Sequence, residues 1–265
     1  MRIQPADRRE FNIAIQPNQE PLVSIIMPAY NAATYLPSAI QSVFEQSYSN
    51  WELLVVDDAS TDSTLHVANS FAEKDSRVRV FPQSENGGVT AARNKALQMA
   101  GGDYLAFLDA DDLWDSEKLL KQVGYMTHNN TLICYCGYRR INEEGRIVGR
   151  VSPPLKVTYS DMLKSNFIGN LTGIYNAKVL GKQYLEDFGH EDYIAWLELI
   201  KVAGEASSVD EELASYRVYR GSTSSNKLRT ISWQWRIYRE SQALGLVKSS
   251  WLIACYGIYA ILKRT

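Results

Sequence analysis

Apolar runs and helical patterns alternate through the first half of the chain. Val23–Met27 is a β-rich run closed by Pro28, and Trp51–Val56, Val78–Phe81, Tyr104–Leu108 and Leu132–Tyr138 are four more. Between them helical patterns cover Tyr35–Glu45, Thr61 or Asp62 to about Lys74, Thr90 to the Gly101-Gly102 pair, and Asp115 or Ser116 to about Thr127. The Ser, Thr and Asp residues at the starts are N-cap residues, and the glycine pair is a stop signal. Strands separated by helices of about ten to fifteen residues predict βαβ units in an α/β fold with a mostly parallel sheet.

After Arg140 the alternation weakens. Asn142–Gly145 reads as a hairpin turn, Ser160–Ser165 as a short helix, Thr172–Tyr175 as a strand and Tyr216–Tyr219 as a last strand. Glu191–Val202 carries a helical stripe of Tyr193, Trp196, Leu197 and Ile200. The expected organisation is a polar extension (residues 1–20), one domain over 21–226 and a C-terminal segment over 227–265. Within the domain, residues 21–130 form one half and 131–226 the other.

Composition narrows the function only slightly. The 265 residues are ample for a core, and a net charge of −2 gives no global pull towards nucleic acid. Three cysteines, Cys134, Cys136 and Cys255, are an odd set without framework spacing and read as reduced thiols. Met1–Glu20 is polar and holds no apolar leader, so the chain is expected in the cytoplasm.

Candidate chemistry gathers at strand ends. In parallel α/β sheets ligands sit beyond the C-terminal ends of the strands. Those ends here carry Pro28-Ala29-Tyr30-Asn31, Asp57-Asp58 and Asp109-Ala110-Asp111-Asp112. Carboxylates packed this closely repel one another, and Mg2+ or Mn2+ shared with substrate phosphates relieves the repulsion. The same acidic turn also suits the capping of the helix that follows. Asp57 and Asp58 suit either a turn or hydrogen bonds to a base or ribose. Gly87-Gly88 allows close backbone approach ahead of a helix containing Arg93, which is placed either near a pyrophosphate or on the surface. Glu191-Asp192 alone fits the first turn of a helix, where acids complement the dipole.

Five strings taken together resemble the family 2 inverting glycosyltransferases of GT-A fold: VSIIMPAYN at 23–31, WELLVVDDASTDST at 51–64, ENGGVTAARNKAL at 85–97, GDYLAFLDADDLW at 102–114 and GHEDYIAWLEL at 189–199. The resemblance covers about residues 21–220 and extends to bacterial enzymes of cell-surface polysaccharides such as O-antigen or teichuronic acid. It implies transfer of a hexose or N-acetylhexosamine from a UDP-sugar to a lipid-linked saccharide acceptor, with inversion and a divalent metal, Mn2+ or Mg2+. It implies nucleotide-sugar contacts at Pro28, Ala29, Tyr30, Asp57, Asp58, Arg93, Asp109 and Ala110. Asp111 is the implied metal ligand, with Asp109 and Asp112 beside it. The general base falls on Glu191-Asp192, with Asp192 the better placed of the two. YRVYRGSTSSNK at 216–227 resembles a segment after the base-bearing helix, and offers Arg217, Arg220 and Ser222 for phosphate or acceptor contacts.

Residues 227–265 carry seven basic side chains against one acidic one, Glu240. Trp251–Leu262 has no charge, and twelve residues are too few to span a bilayer as a helix. An interfacial helix on anionic lipid at the inner face of the cytoplasmic membrane is expected. The same stretch also suits packing on the domain or on a second subunit, as in a homo-oligomer. Two rival functions share parts of this pattern. A nucleotidyltransferase making sugar nucleotides would need a glycine- and arginine-rich loop after the first strand, which VSIIMPAYN lacks. A non-catalytic sugar- or lipid-binding protein is the other rival, and the presence of both Asp111 and Asp192 argues against it.

Overall fold

The computed structural model describes residues 20–219 and 227–262. Its first part is a βαβ series: β1 (Val23–Ala29), α1 (Leu36–Phe44), β2 (Trp51–Asp57), α2 (Thr64–Ala72), β3 (Val78–Pro82), α3 (Gly88–Met99) and β4 (Tyr104–Phe107). The two-residue β5 (Leu113–Trp114), α4 (Lys118–Asn129), β6 (Ile133–Ile141), β7 (Ile147–Val151), β8 (Lys156–Thr158) and α5 (Tyr159–Met162) follow. Then come β9 (Ile174–Asn176), α6 (Ala177–Leu180), α7 (Glu191–Ala203) and β10 (Glu205–Arg217). Two further helices, α8 (Lys227–Arg236) and α9 (Leu246–Leu262), flank a π-helical turn at Ile237–Ser241.

The strand order is β3-β2-β1-β4-β9-β6-β10-β5, with β7 on β6 and β8 on β10. β3, β2, β1 and β4 are mutually parallel, and β9 runs antiparallel to both β4 and β6. β10 is parallel to β6, so β6 and β10 point the same way as the first four strands. The sheet is therefore mixed, and the C-terminal ends of six strands share one edge.

Alternation along β1 divides the core between the two faces, as strand geometry requires. Val23, Ile25 and Met27 join α1 and α4 on one side. Ile26 joins α3, α7 and the C-terminal helices on the other. On that second side Trp196 of α7 packs edge-on against Phe107 of β4 and Tyr175 of β9, at ring separations of 5.9 and 6.1 Å. A Cβ on Gly173 would lie 2.3 Å from the Trp196 ring, so this contact requires glycine there. The packing seats Trp196 of α7 over β4 and β9, and Arg93 links the start of α7 to the loop after β4.

The expected first-half strands and helices are all present, with shifted boundaries. The helix expected to be capped by Thr90 begins at Gly88, because its cap comes from another part of the chain. The expected strand Tyr216–Tyr219 is only the tail of the 13-residue β10. Its pattern is obscured by buried Ser207, Ser208 and Ser215, and by a register shift between Val209 and Glu212. Thr172 lies in a 3-10 turn, so the strand expected at Thr172–Tyr175 begins at Ile174. The hairpin turn at Asn142–Gly145 forms, and Gly145 takes a positive φ of 79° that favours glycine.

Candidate active site

The parallel register fixes the site. Ala29 lies opposite Asp57, and Ile26 opposite Phe107, so the segments after β1, β2 and β4 leave the sheet side by side. Pro28 and Ala29 are buried in β1, and Tyr30 is exposed just beyond it. Asn31 has a positive φ of 46°, and its side-chain oxygen accepts from the Thr61 backbone N–H at 2.8 Å. The β1 and β2 loops are thus stitched together.

The two aspartates of Asp57-Asp58 have different surroundings. One Asp58 oxygen accepts from Gln83 and from the Gly87 N–H at 2.8 Å, and the other accepts from the Gly88 N–H at 2.8 Å. A carboxylate at a helix N-terminus satisfies otherwise unpaired donors and complements the dipole. Asp58, expected as a base contact, also holds the start of α3 in place. Asp57 is buried, and its Oδ1 has no hydrogen-bond partner.

Arg93 is 5 % exposed, and its two terminal nitrogens donate to Asp109 and to Glu191, each at 2.7 Å. Burial alone would lower its pKa, but the two carboxylates more than offset this and hold it fully charged. Arg93, expected at a diphosphate, bridges the end of β4 and the start of α7. Glu191, 98 residues away, accepts from one terminal nitrogen and Asp109 from the other, while the buried Nε has no partner.

Asp109, Ala110, Asp111 and Asp112 follow β4 in one loop, which the far end of β10 secures. The Arg217 backbone N–H donates to Asp112 at 2.8 Å, and its guanidinium donates to the carbonyls of Asp111, Asn142 and Glu143. The same guanidinium lies 4.4 Å from the centre of the Tyr35 ring. Arg217, expected at a phosphate or acceptor, is buried by these contacts and clamps the loop. Arg220 and Ser222 lie outside the described residues.

Tyr219, which the sequence reading passed over, donates to Asp111 Oδ2 at 2.5 Å and is 41 % exposed. No local signal marked it, since the two residues are 108 apart. Burial raises the Asp111 pKa, the Tyr219 hydrogen bond opposes this, and Asp109 adds to it. Asp112 is 1 % exposed and is pushed well above the usual carboxylate range by burial and by its two acidic neighbours. Its Oδ2 is buried without a partner. This is a negative cluster short of positive charge, which fits a divalent cation. Among the described residues no three acidic, histidine or cysteine side chains form a metal cage. The donor set therefore suits a cation shared with ligand phosphates, as Mg2+ and Mn2+ accept. Asp109 and Asp111 are the available ligands, and Asp112, set below them, adds charge.

Glu191 and Asp192 open α7 as expected. Burial raises the Glu191 pKa, Arg93 opposes the rise, and Asp192 adds to it. Glu191 is tied to Arg93, whereas the half-buried Asp192 stands next to it in the first turn.

A Rossmann-like parallel half continued by a mixed half, with acids after β4 and at the start of α7, is the architecture of a GT-A glycosyltransferase. Residues 24–189 match the family described as Glycosyl transferase family 2, and the chain belongs to that family. It is similar to the putative teichuronic acid biosynthesis glycosyltransferase TuaG of Bacillus subtilis, at 37% identity over 93% of this chain and 99% of TuaG. It is also similar to an Escherichia coli protein, the UDP-Glc:alpha-D-GlcNAc-diphosphoundecaprenol beta-1,3-glucosyltransferase WfgD, at 39% identity over 82% of this chain and 85% of WfgD. Two solved structures share the fold. The S. aureus TarS 1-349 complex with UDP-GlcNAc has a TM-score of 0.69 and 21% identity, covering 88% of this chain and 71% of that one. The mannosyltransferase PcManGT of Pyrobaculum calidifontis, with GDP-Man and Mn2+, has a TM-score of 0.68 and 19% identity, covering 95% and 77%.

Proposed function

We propose that this glycosyltransferase moves a hexose or N-acetylhexosamine from a UDP-sugar to a lipid-linked saccharide, with inversion, in the assembly of a bacterial surface polysaccharide. The carrying observation is the Arg93 strut, which joins the acids after β4 to the acids at the start of α7. WfgD, by its name, uses UDP-Glc and a diphosphoundecaprenol-linked acceptor, and the similarity supports the same substrate classes here. In this reading residues 21–130 hold the donor, 131–226 form the acceptor side, 227–265 are an appendage and 1–20 an extension.

Asp109 and Asp111 would hold Mn2+ or Mg2+ together with the donor diphosphate. When bound, the cation supplies positive charge where the leaving diphosphate gains negative charge. Pro28, Ala29, Tyr30 and the unpaired Asp57 oxygen line the nucleotide side. Asp192 takes the proton from the acceptor hydroxyl as general base. Glu191, tied to Arg93, keeps the first turn of α7 in place. Attack by the acceptor on the face opposite the leaving group inverts the anomeric carbon in one displacement.

Membrane association belongs to the same reading. Among the described residues no helix is long and apolar enough to cross a membrane. Leu246, Val247 and Trp251 of α9 are exposed, while Leu252 is buried in the core. Part of the charge-free stretch therefore packs on the domain, and its outer side, within a basic segment, is the candidate contact with anionic lipid at the inner membrane face.

The test is a panel of nucleotide sugars with a prenyl-diphosphate-linked N-acetylglucosamine acceptor, reading nucleoside diphosphate release with and without chelator. The expected result is release from a UDP-sugar that stops in chelator and returns with Mn2+ or Mg2+. Undiminished release in chelator would overturn the metal assignment, and release from another nucleotide's sugars alone would overturn the UDP assignment.

A further inference from the structure

The coil between α6 and α7 ends at Phe188-Gly189-His190, directly ahead of Glu191-Asp192. Its middle is tied to α3: Asn94 donates to the Leu185 carbonyl at 2.9 Å and accepts from the Leu185 N–H at 2.8 Å. Its end is held by a different element, the C-terminal helix α8. The Trp233 ring meets the His190 ring edge-on at 4.8 Å, and the Arg236 guanidinium lies 4.3 Å from the centre of the Phe188 ring. Gly189 has a positive φ of 96°, and a Cβ on it would come within 2.6 Å of the indole nitrogen of Trp233. The backbone of the coil is therefore seated against the indole with no room between them.

His190 is the N-cap residue of α7, and its side chain makes no capping bond. The chain's entry angle into α7 is thus set by what Phe188–His190 rest on. One residue on, Arg93 grips Glu191. The first turn of α7, and Asp192 with it, is held between Arg93 and Trp233.

We infer that Trp233 is a positioning residue for Asp192: α8 seats the Phe188–His190 coil and thereby sets the angle at which the first turn of α7 presents its carboxylate to the acceptor. The inference rests on Asp192 being the general base. It gives the C-terminal segment a part in turnover as well as in membrane contact. Small misplacements of a reacting group are costly: about 1 Å can lower a rate by about 100-fold.

The test uses the full chain carrying Trp233→Ala, Trp233→Phe or Gly189→Ala. UDP binding is measured by calorimetry in the presence of Mn2+. Turnover is measured with the UDP-sugar that the unmodified protein uses and prenyl-diphosphate-linked N-acetylglucosamine. Trp233→Ala is expected to lower kcat about 10- to 100-fold while the UDP Kd stays within about twofold. Trp233→Phe, which restores an aromatic seat, is expected to recover most of the loss. Gly189→Ala pushes the coil off the indole, should give the same split, and carries the test if circular dichroism shows Trp233→Ala unfolded. Unchanged kcat in a folded Trp233→Ala or Gly189→Ala variant overturns the inference, and so does a parallel loss of UDP affinity. Asp192→Asn, run alongside, separates the two ideas: if it turns over normally, the base assignment itself has failed.

Discussion

The two halves of the sheet differ in where their fastenings come from. β3, β2, β1 and β4 are joined by short βαβ connections, so each loop at their C-terminal edge lies close in sequence to the strand that aims it. The other half depends on returns from afar: β9 inserts between β4 and β6, and β10 comes back beside β6 to reach the Asp109–Asp112 loop. The first half thus offers carboxylates in a local frame. The second half supplies Arg217 and Tyr219, which hold the carboxylates of Asp112 and Asp111, and Glu191, which holds Arg93, each from about a hundred residues away. One site is built from a locally specified part and a globally specified one.

Breaking the joint between the halves should have the largest effect. Arg93→Met leaves Asp109 and Glu191 facing each other without their shared cation. Removing one partner of a buried ion pair typically costs about 3–5 kcal/mol. Urea unfolding should show a loss of this order, and a loss below about 1 kcal/mol would mean that the strut is not what joins the halves.

A buried lysine tests the packing of α4 against the sheet. Lys118 of α4 is fully buried, donates to Gln122 at 2.7 Å and sits 4.0 Å from the Trp114 ring. Burial pushes its pKa down from 10.5 to about 8. The unfolded chain binds its proton more tightly, so the buried group disfavours folding below pH 8. That penalty shrinks as the pH rises from 8 towards 10.5. Lys118→Met should therefore raise stability by about 1–3 kcal/mol at pH 7, with the advantage over the unmodified protein fading across that window. A pH-independent difference would rule out charge burial as its cause.

Tyr219→Phe should act more gently. It removes one hydrogen bond that orients Asp111, and lost support for a metal ligand commonly weakens binding by about tenfold. Mn2+ titration in the presence of UDP, followed by electron spin resonance, should show that shift with the fold unchanged. Equal affinity would leave Tyr219 without influence on the ion.

The same contrast governs what could be read from the sequence. Apolar runs revealed four parallel strands, and the acids that end two of them revealed the Asp57-Asp58 and Asp109-Asp111 positions, because each signal lies within a few residues of its cause. The start of α3 was misplaced because its cap, Asp58, sits about thirty residues upstream and nothing near Gly88 betrays it. β10 was seen only at its tail, since its buried serines and acidic bulge mimic a loop. Arg93 and Arg217 are single basic residues in sequence, and only the folded chain reveals the carboxylates and carbonyls that claim them. Glu191 and Asp192 were legible through family resemblance, while their separation into strut partner and candidate base needed the Arg93 contact.

The central claim is that the acids after β4 serve the donor and Asp192 serves the acceptor. Asp192→Asn addresses it directly, with UDP affinity in Mn2+ and sugar transfer measured on the same preparation. The account predicts UDP binding within about twofold of the unmodified protein and transfer lowered by about 100-fold or more. Transfer at a near-normal rate, or loss of UDP binding along with transfer, would contradict it.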